Sequence, residues 1–209
     1  MTIISIKPEQ SSGDGAVKVE FSDGSSVKIT ADYMPAEYKN DYFWQTGREL
    51  NPAEEEIFRF AASCYRVEKA ALRLIARAEQ NSLGLTAKLG RRGYDRAVVN
   101  AVISGLQNRN LLNDRRYAEH WIRSRLASGN AKSPRWMRAS LGKRGIDRNS
   151  SAGALDEVLD PETEYTLLLK YIEKGRIGKK EKADLFKSKL KFEGFSSAVL
   201  SRYFDNNIN

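Results

Sequence analysis

At 209 residues with 41% apolar content, the chain has room for one large domain or two small ones and enough apolar surface for a sizeable core. No segment approaches the roughly 18–20 apolar residues that span a bilayer, and no basic stretch followed by an apolar one reads as a secretory leader. The single cysteine, Cys64, excludes an internal disulfide and zinc sites of the Cys/His type, and fits a reducing compartment such as the cytoplasm. The net charge of +8 is unevenly placed: residues 1–63 carry −5, residues 64–150 carry +13 and residues 151–209 are neutral. A basic block of that kind points to a polyanionic partner.

Residues 1–50 read as a small β element. Ile3, Ile4 and Ile6 form a short apolar run, and Gln10–Gly15 reads as a loop. Val17, Val19 and Phe21 then alternate with Lys18 and Glu20, and after Ser22-Asp23-Gly24-Ser25 the alternation resumes at Val27 and Ile29. Alternation on both sides of Asp-Gly predicts a hairpin, to which the first strand and a neighbouring helix add a small sheet. Tyr33, Tyr38, Tyr42, Phe43 and Trp44 lie in acidic surroundings and are expected to pack against the hairpin rather than to stack bases. Asn51-Pro52 pairs an N-cap with a proline at the first helical position, and Glu54, Glu55 and Glu56 suit the helix dipole. From Ala53 to Gln80 apolar residues recur at helical spacing without Gly or Pro. Either one helix or two fit that run, with 51–63 as a linking segment.

Beyond it a unit of about 50 residues occurs three times. Its clearest marks are Arg92-Gly93-Tyr94-Asp95, Arg144-Gly145-Ile146-Asp147 and Glu193-Gly194-Phe195-Ser196, whose glycines are 52 and 49 residues apart. Leu89, Leu141 and Leu190 precede the glycines by four residues, and Tyr65, Tyr117 and Tyr165 lie 28 or 29 residues upstream. Each glycine suits the left-handed position that ends a helix, the next apolar residue folds back onto the last turn, and the third residue caps the following helix. Ser82, with Leu85 and Leu89, is expected to cap one helix, and Ser133-Pro134 and Asp160-Pro161 are cap pairs for others. Gly178 is expected to separate the last repeat's first two helices. The fold expected is mainly α: three tandem three-helix repeats (64–112, 113–159 and 160–209) in an elongated array, preceded by a small β-hairpin or sheet element.

No residue set for catalysis is evident. His120 is the only histidine and lies among arginines on a helix. Cys64 falls on an apolar face and reads as a buried thiol. There is no Walker loop or dinucleotide fingerprint, so no cofactor, metal or small-molecule substrate is expected, and the chain is read as a non-enzyme. The informative residues are cations around the glycine corners and between them: Arg91, Arg92, Arg115, Arg116, Arg123, Arg125, Arg135, Arg138, Lys143 and Arg144. Arginine forks suit carboxylate and phosphate. Trp121 and Trp136 sit among them at core-like helical spacing.

The run Leu111-Leu112-Asn113-Asp114-Arg115-Arg116-Tyr117-Ala118-Glu119, with Trp121-Ile122-Arg123-Ser124-Arg125 after it, resembles the central stretch of the RecX family of recombination regulators. Ser133-Pro134-Arg135, Arg144-Gly145-Ile146-Asp147 and Leu85…Lys88-Leu89…Arg92-Gly93-Tyr94-Asp95 are similar to it as well. In the third repeat Glu193 stands where the family usually has a basic residue. The resemblance implies a partner, the RecA–single-stranded-DNA filament. Family members lie in its groove across neighbouring protomers and suppress ATP hydrolysis, strand exchange and coprotease activity, and with these the SOS response. Weak direct DNA binding is also expected. Two rivals stand beside it: a sequence-independent DNA-binding helical repeat protein, and a helical scaffold for another acidic protein.

Overall fold

The computed structural model describes residues 1–8, 15–39, 44–174 and 183–207. Most of the expected Gln10–Gly15 loop, Tyr42, Phe43 and Gly178 lie outside the described residues. Three strands, β1 (Ile3–Pro8), β2 (Val17–Phe21) and β3 (Ser26–Ile29), form an antiparallel meander in the order β1-β2-β3. Val19 faces Ile6 on one side and Val27 on the other. Gly24 closes the hairpin at φ +80°, and the Asp23 carboxylate accepts from the Ser25 amide at 2.9 Å.

Nine α-helices follow among the described residues: α1 (Pro52–Ile75), α2 (Ser82–Gly90), α3 (Arg96–Asn108), α4 (Asp114–Ala127), α5 (Pro134–Gly142), α6 (Arg148–Val158), α7 (Pro161–Glu173), α8 (Ala183–Phe192) and α9 (Ser197–Asn207). The helix opening at Asn51 is a full capping box. Asn51 accepts from the Glu54 amide at 3.0 Å, and Glu54 accepts from the Asn51 amide at 2.9 Å. The linking segment and the first repeat helix are therefore one continuous helix.

The chain divides into two compact units, one of residues 1–78 and 85–112, the other of 79–84 and 113–209. In the first, α1 covers the sheet with Phe58, which meets Phe21 edge-on at 5.7 Å. Its later turns carry Cys64, Val67 and Ala71 into a core with Leu85, Leu89, Val99, Val102 and Leu106. Tyr33 joins the two cores. Its hydroxyl donates to Glu68, which also binds Arg109 at 2.9 Å, while Arg109 reaches Asp32 at 3.1 Å. Arg109 thus ties the N-terminal segment to α1 and α3. Tyr33, Tyr38 and Trp44 pack against the sheet's core, and Trp44 meets Phe58 at 5.9 Å.

In the second unit Ile122, Met137, Leu141, Leu155, Leu168 and Leu190 are among the buried residues of a single core. The corner glycines take positive φ: +81° at Gly93, +81° at Gly145 and +89° at Gly194. At Gly145 the amides of Gly145 and Ile146 bond back to Gly142 and Leu141, and at Gly194 those of Gly194 and Phe195 bond to Lys191 and Leu190. This is the 5→2, 6→1 pattern of a Schellman closure, with Ile146 and Phe195 buried as its apolar contact.

One expected cap is corrected. Ser82 lies inside α2, and the cap is Asn81, whose side-chain oxygen accepts from the Gly84 amide at 2.8 Å. Ser82 instead donates its amide (2.7 Å) and hydroxyl (3.0 Å) to Asp114 at the start of α4.

Candidate functional site

The basic residues of the second repeat are organised around two tryptophans. Trp121 projects from the middle of α4, and Trp136 from the first turn of α5, opened by Ser133 and Pro134. The Ser133 hydroxyl accepts from the Trp136 amide at 3.2 Å. The two rings stack at 5.9 Å with 29° between their planes, and both remain half-buried. Arg125 and Arg144, 19 positions apart, converge on Trp121 at 5.2 and 4.8 Å from its centroid, and Lys132 lies 4.9 Å from the Trp136 ring. The ring face attracts the cation through its quadrupole, an interaction of about 0.5–1 kcal/mol where solvent reaches it. A guanidinium held against a ring still carries in-plane donors suited to a carboxylate or phosphate.

The other predicted cations fall into two groups. Some already have a protein partner. Glu119 sits between Arg115 (3.3 Å) and Arg123 (3.5 Å), four residues from each, and Arg115 also lies 4.0 Å from Glu157. Arg116 pairs with Glu79 at 2.8 Å. Arg135 places its guanidinium over Phe192 at 3.6 Å. Exposed ion pairs of this kind contribute about 0–1 kcal/mol, so a phosphate or partner carboxylate can replace them at small cost. The second group is exposed with no ion pair to any described residue: Arg138 and Lys143 in the second unit, and Arg91 and Arg92 on the turn after α2 in the first. Arg91 touches only its own helix, donating to the Ala87 carbonyl at 3.4 Å. The structure thus brings Arg125 and Arg144 together over Trp121, and Arg115 and Arg123 together at Glu119. Lys132 was missed by sequence reasoning. It lies just before the Ser133 cap, outside any helix, so no helical periodicity marked it.

Neither reactive residue type has the surroundings of a catalyst. Cys64 is fully buried and burial pushes its thiol up to about 12. His120 is exposed on α4. Among the described residues no group of three His, Cys, Asp or Glu is placed to hold a metal, and no helix is long and apolar enough to cross a membrane.

A family model described as the second three-helix domain of RecX matches residues 113–155. A regulatory protein RecX from Treponema pallidum is 37% identical over 117 residues, which is 56% of this chain and 71% of that protein. The chain belongs to the RecX family. Another relative, the regulatory protein RecX of Halorhodospira halophila, is 36% identical over 124 residues, covering 59% of this chain and 73% of its own length. A solved structure of a regulatory protein RecX shares the fold with a TM-score of 0.63 at 18% identity over 98% of both chains. RecX from Lactobacillus salivarius does so at 0.51 and 24% identity, over 69% of this chain and 96% of its own. The mainly helical fold with its N-terminal sheet is therefore that of RecX structures, and the chain is a member of a family of regulatory proteins.

Proposed function

We propose that this chain is a non-enzymatic regulator of the cytoplasm that binds the RecA–single-stranded-DNA filament through the basic surfaces of its first two repeats. It suppresses RecA's ATPase, strand exchange and coprotease activities, and through them damps recombination and the SOS response. The observation that carries this reading is the convergence of Arg125, Arg144 and Lys132 on the Trp121–Trp136 stack. Such a surface fits an assembly built of acidic protein and phosphate, and the RecA–single-stranded-DNA filament that the sequence resemblance implies is an assembly of that kind. Three repeats (64–112, 113–159 and 160–209) give the chain more than one point of attachment, and linked contacts raise occupancy without new chemistry.

The test is a titration of the chain into RecA ATPase on single-stranded DNA. Wild type is expected to suppress hydrolysis, and Arg92→Glu/Arg138→Glu/Lys143→Glu to suppress it at least tenfold more weakly, because like charge now faces an acidic partner. These side chains are exposed, so each substitution should cost under about 0.5 kcal/mol of stability. A folded triple variant that suppresses as well as wild type would remove these residues from the interface. Equal affinity for bare and RecA-coated strand at one salt concentration would favour the sequence-independent DNA-binding module instead.

A further inference from the structure

An apolar groove in the first unit plays no part in the basic surfaces described above. α1 forms one wall with Ala53, Glu56, Ile57 and Phe60, and α3 the other with Ala101, Ser104, Gly105 and Asn108. Both sets follow the spacing i, i+3, i+4, i+7, so each is a single helix stripe two turns long. Tyr33, Met34 and Pro35 complete a cavity of about 770 Å³. The Tyr33 ring packs on α3 where Gly105 leaves room for it, since a Cβ there would stand 3.3 Å from its hydroxyl, and that hydroxyl is held by Glu68. The groove is acidic. Glu56 is exposed with no ion pair to a described residue. Asp32 and Glu68 share Arg109, at 3.1 and 2.9 Å, and no lysine or arginine lines the cavity among the described residues. The second unit carries a face of opposite character. α8 buries Phe186 and Leu190 in its core and leaves Leu185 and Phe192 exposed, at 52% and 67%. These two are seven residues apart and share one helix face. Phe192 is the most exposed large apolar side chain among the described residues. Arg135 lays its guanidinium on that ring at 3.6 Å. Lys187, Lys189 and Lys191 outnumber Asp184, the only acid of α8.

We infer that the α8 face of one copy docks in the α1–α3 groove of a second copy of this chain, with Leu185 and Phe192 against Ile57 and Phe60 and the Arg135 guanidinium toward Glu56. Three matches support this occupant. The first is length: seven residues of helix span about 10.5 Å at 1.5 Å per residue, which is the reach of the α8 stripe and of both groove walls. The second is shape. Ala53, Ala101, Ser104 and Gly105 are small, so an incoming helix can approach to the 8–10 Å axial distances of packed helices. An amphipathic helix laid into an apolar groove through anchors one or two turns apart is a recurrent mode of recognition. The third is charge: the groove presents carboxylates and the stripe is flanked by cations, whereas an acidic occupant would meet Glu56 with like charge. A basic but wholly polar segment would leave Ile57 and Phe60 without an apolar partner. Each copy carries one groove and one stripe, so the contact is heterologous and repeats from copy to copy. A single helix in a groove buries less than the roughly 1,200 Å² of a standard interface, so the association is weak and reversible.

The experiment is sedimentation velocity on the full chain, without RecA or DNA, over a concentration series at low and at raised salt. The wild-type sedimentation coefficient is expected to rise with concentration, and to rise less in salt because the charges are screened. Two variants separate the two surfaces. Leu185→Ser/Phe192→Ser removes the stripe and Glu56→Arg/Ser104→Arg reverses and fills the groove; all four side chains are exposed, and circular dichroism verifies that each variant is folded. Each variant alone should associate at least tenfold more weakly than wild type. An equal mixture of the two should form a dimer and nothing larger, because one intact stripe and one intact groove remain. A wild type that stays monomeric across the series would overturn the inference. So would a groove variant that associates as wild type does, which would make the contact one α8 against another, or a mixture that stays monomeric. Because RecA and DNA are absent, each of these failures leaves the filament-binding role of Arg92, Arg138 and Lys143 to its own test.

Discussion

Gly145→Ala should be markedly more damaging than its small size implies, and the structure separates two causes. The first is backbone strain. At φ +81° a Cβ costs about 1–2 kcal/mol, and this applies equally at Gly93, which has the same φ and open space around it. The second is collision. A Cβ at Gly145 would stand 2.7 Å from Leu83 Cδ2 and 2.8 Å from Leu83 Cβ, and forced overpacking of this kind costs about 1–3 kcal/mol more. Gly145→Ala should therefore lose about 2–5 kcal/mol against about 1–2 kcal/mol for Gly93→Ala. Leu83 provides the control, because its side chain is 55% exposed and its removal empties no core. Leu83→Ala leaves the Cβ contact in place and should rescue only part of the collision. Leu83→Gly removes the contact entirely, and its own helix cost of about 1 kcal/mol cancels in the double-mutant cycle. Urea unfolding followed by tryptophan fluorescence is the assay, since Trp121 and Trp136 report on the unit that holds Gly145. Equal losses at Gly93 and Gly145, or a cycle with no coupling between Leu83 and Gly145, would refute the packing described.

Acid should unfasten two helix starts. Asp147 and Asp160 accept backbone hydrogen bonds from the first turns of α6 and α7, with the Ser150 and Thr163 contacts the main cause, and these hold both carboxyls below their ordinary 3.8. A folded-state value below the unfolded one means that the contribution is complete above about pH 3.8 and is lost as pH falls through the folded value. Helical circular dichroism across pH 2–5 should decline, and Asp147→Asn/Asp160→Asn, which keeps the caps without the titration, should flatten that decline; an unchanged profile would count against it. Cys64, buried and with its thiol pushed up to about 12, should resist a thiol reagent at pH 8 in the folded chain and react at once in denaturant. Rapid labelling of the native chain would show that the α1 core opens.

The helix corners were legible because their chemistry is local. A left-handed residue closing a helix selects glycine, and an apolar residue after it and a capping side chain next complete the pattern within four positions. Where the closing residue is not glycine the signal fades. Asn110 takes φ +55° and closes α3 with bonds from Asn110 to Gln107 and Leu111 to Leu106, yet Asn108-Arg109-Asn110 offers little to a reader of sequence. Ser82 was misread for a related reason. Asn81 and Ser82 are both good caps, and only Asp114, 32 residues away, decides which of them turns inward. The site was less legible than the fold. That Arg125 and Arg144 meet over one ring, or that Arg116 is engaged by Glu79, depends on neighbours 19 and 37 residues distant.

The corner also explains why repeats of one design differ in charge. In the second unit the residue before each corner glycine is docked through its backbone carbonyl. The Arg144 carbonyl accepts from the Asn81 side chain at 2.7 Å, and the Glu193 carbonyl accepts from the Arg135 amide at 2.9 Å. Carbonyls at a helix end lack an intrahelical partner, so this joint satisfies a group that any side chain would leave behind. The side chain is thereby released to a separate task. At Arg144 it lies over Trp121 and adds a cation to the basic surface. At Glu193 it accepts from the Ser133 hydroxyl and fastens the start of α5. A basic residue at 193 would leave that hydroxyl without its acceptor, and an acid at 144 would set a negative charge against the electron-rich face of Trp121. The acid at the third corner is therefore explained by the Ser133 hydroxyl it holds at the start of α5, and the arginine at the second by the Trp121 ring it covers.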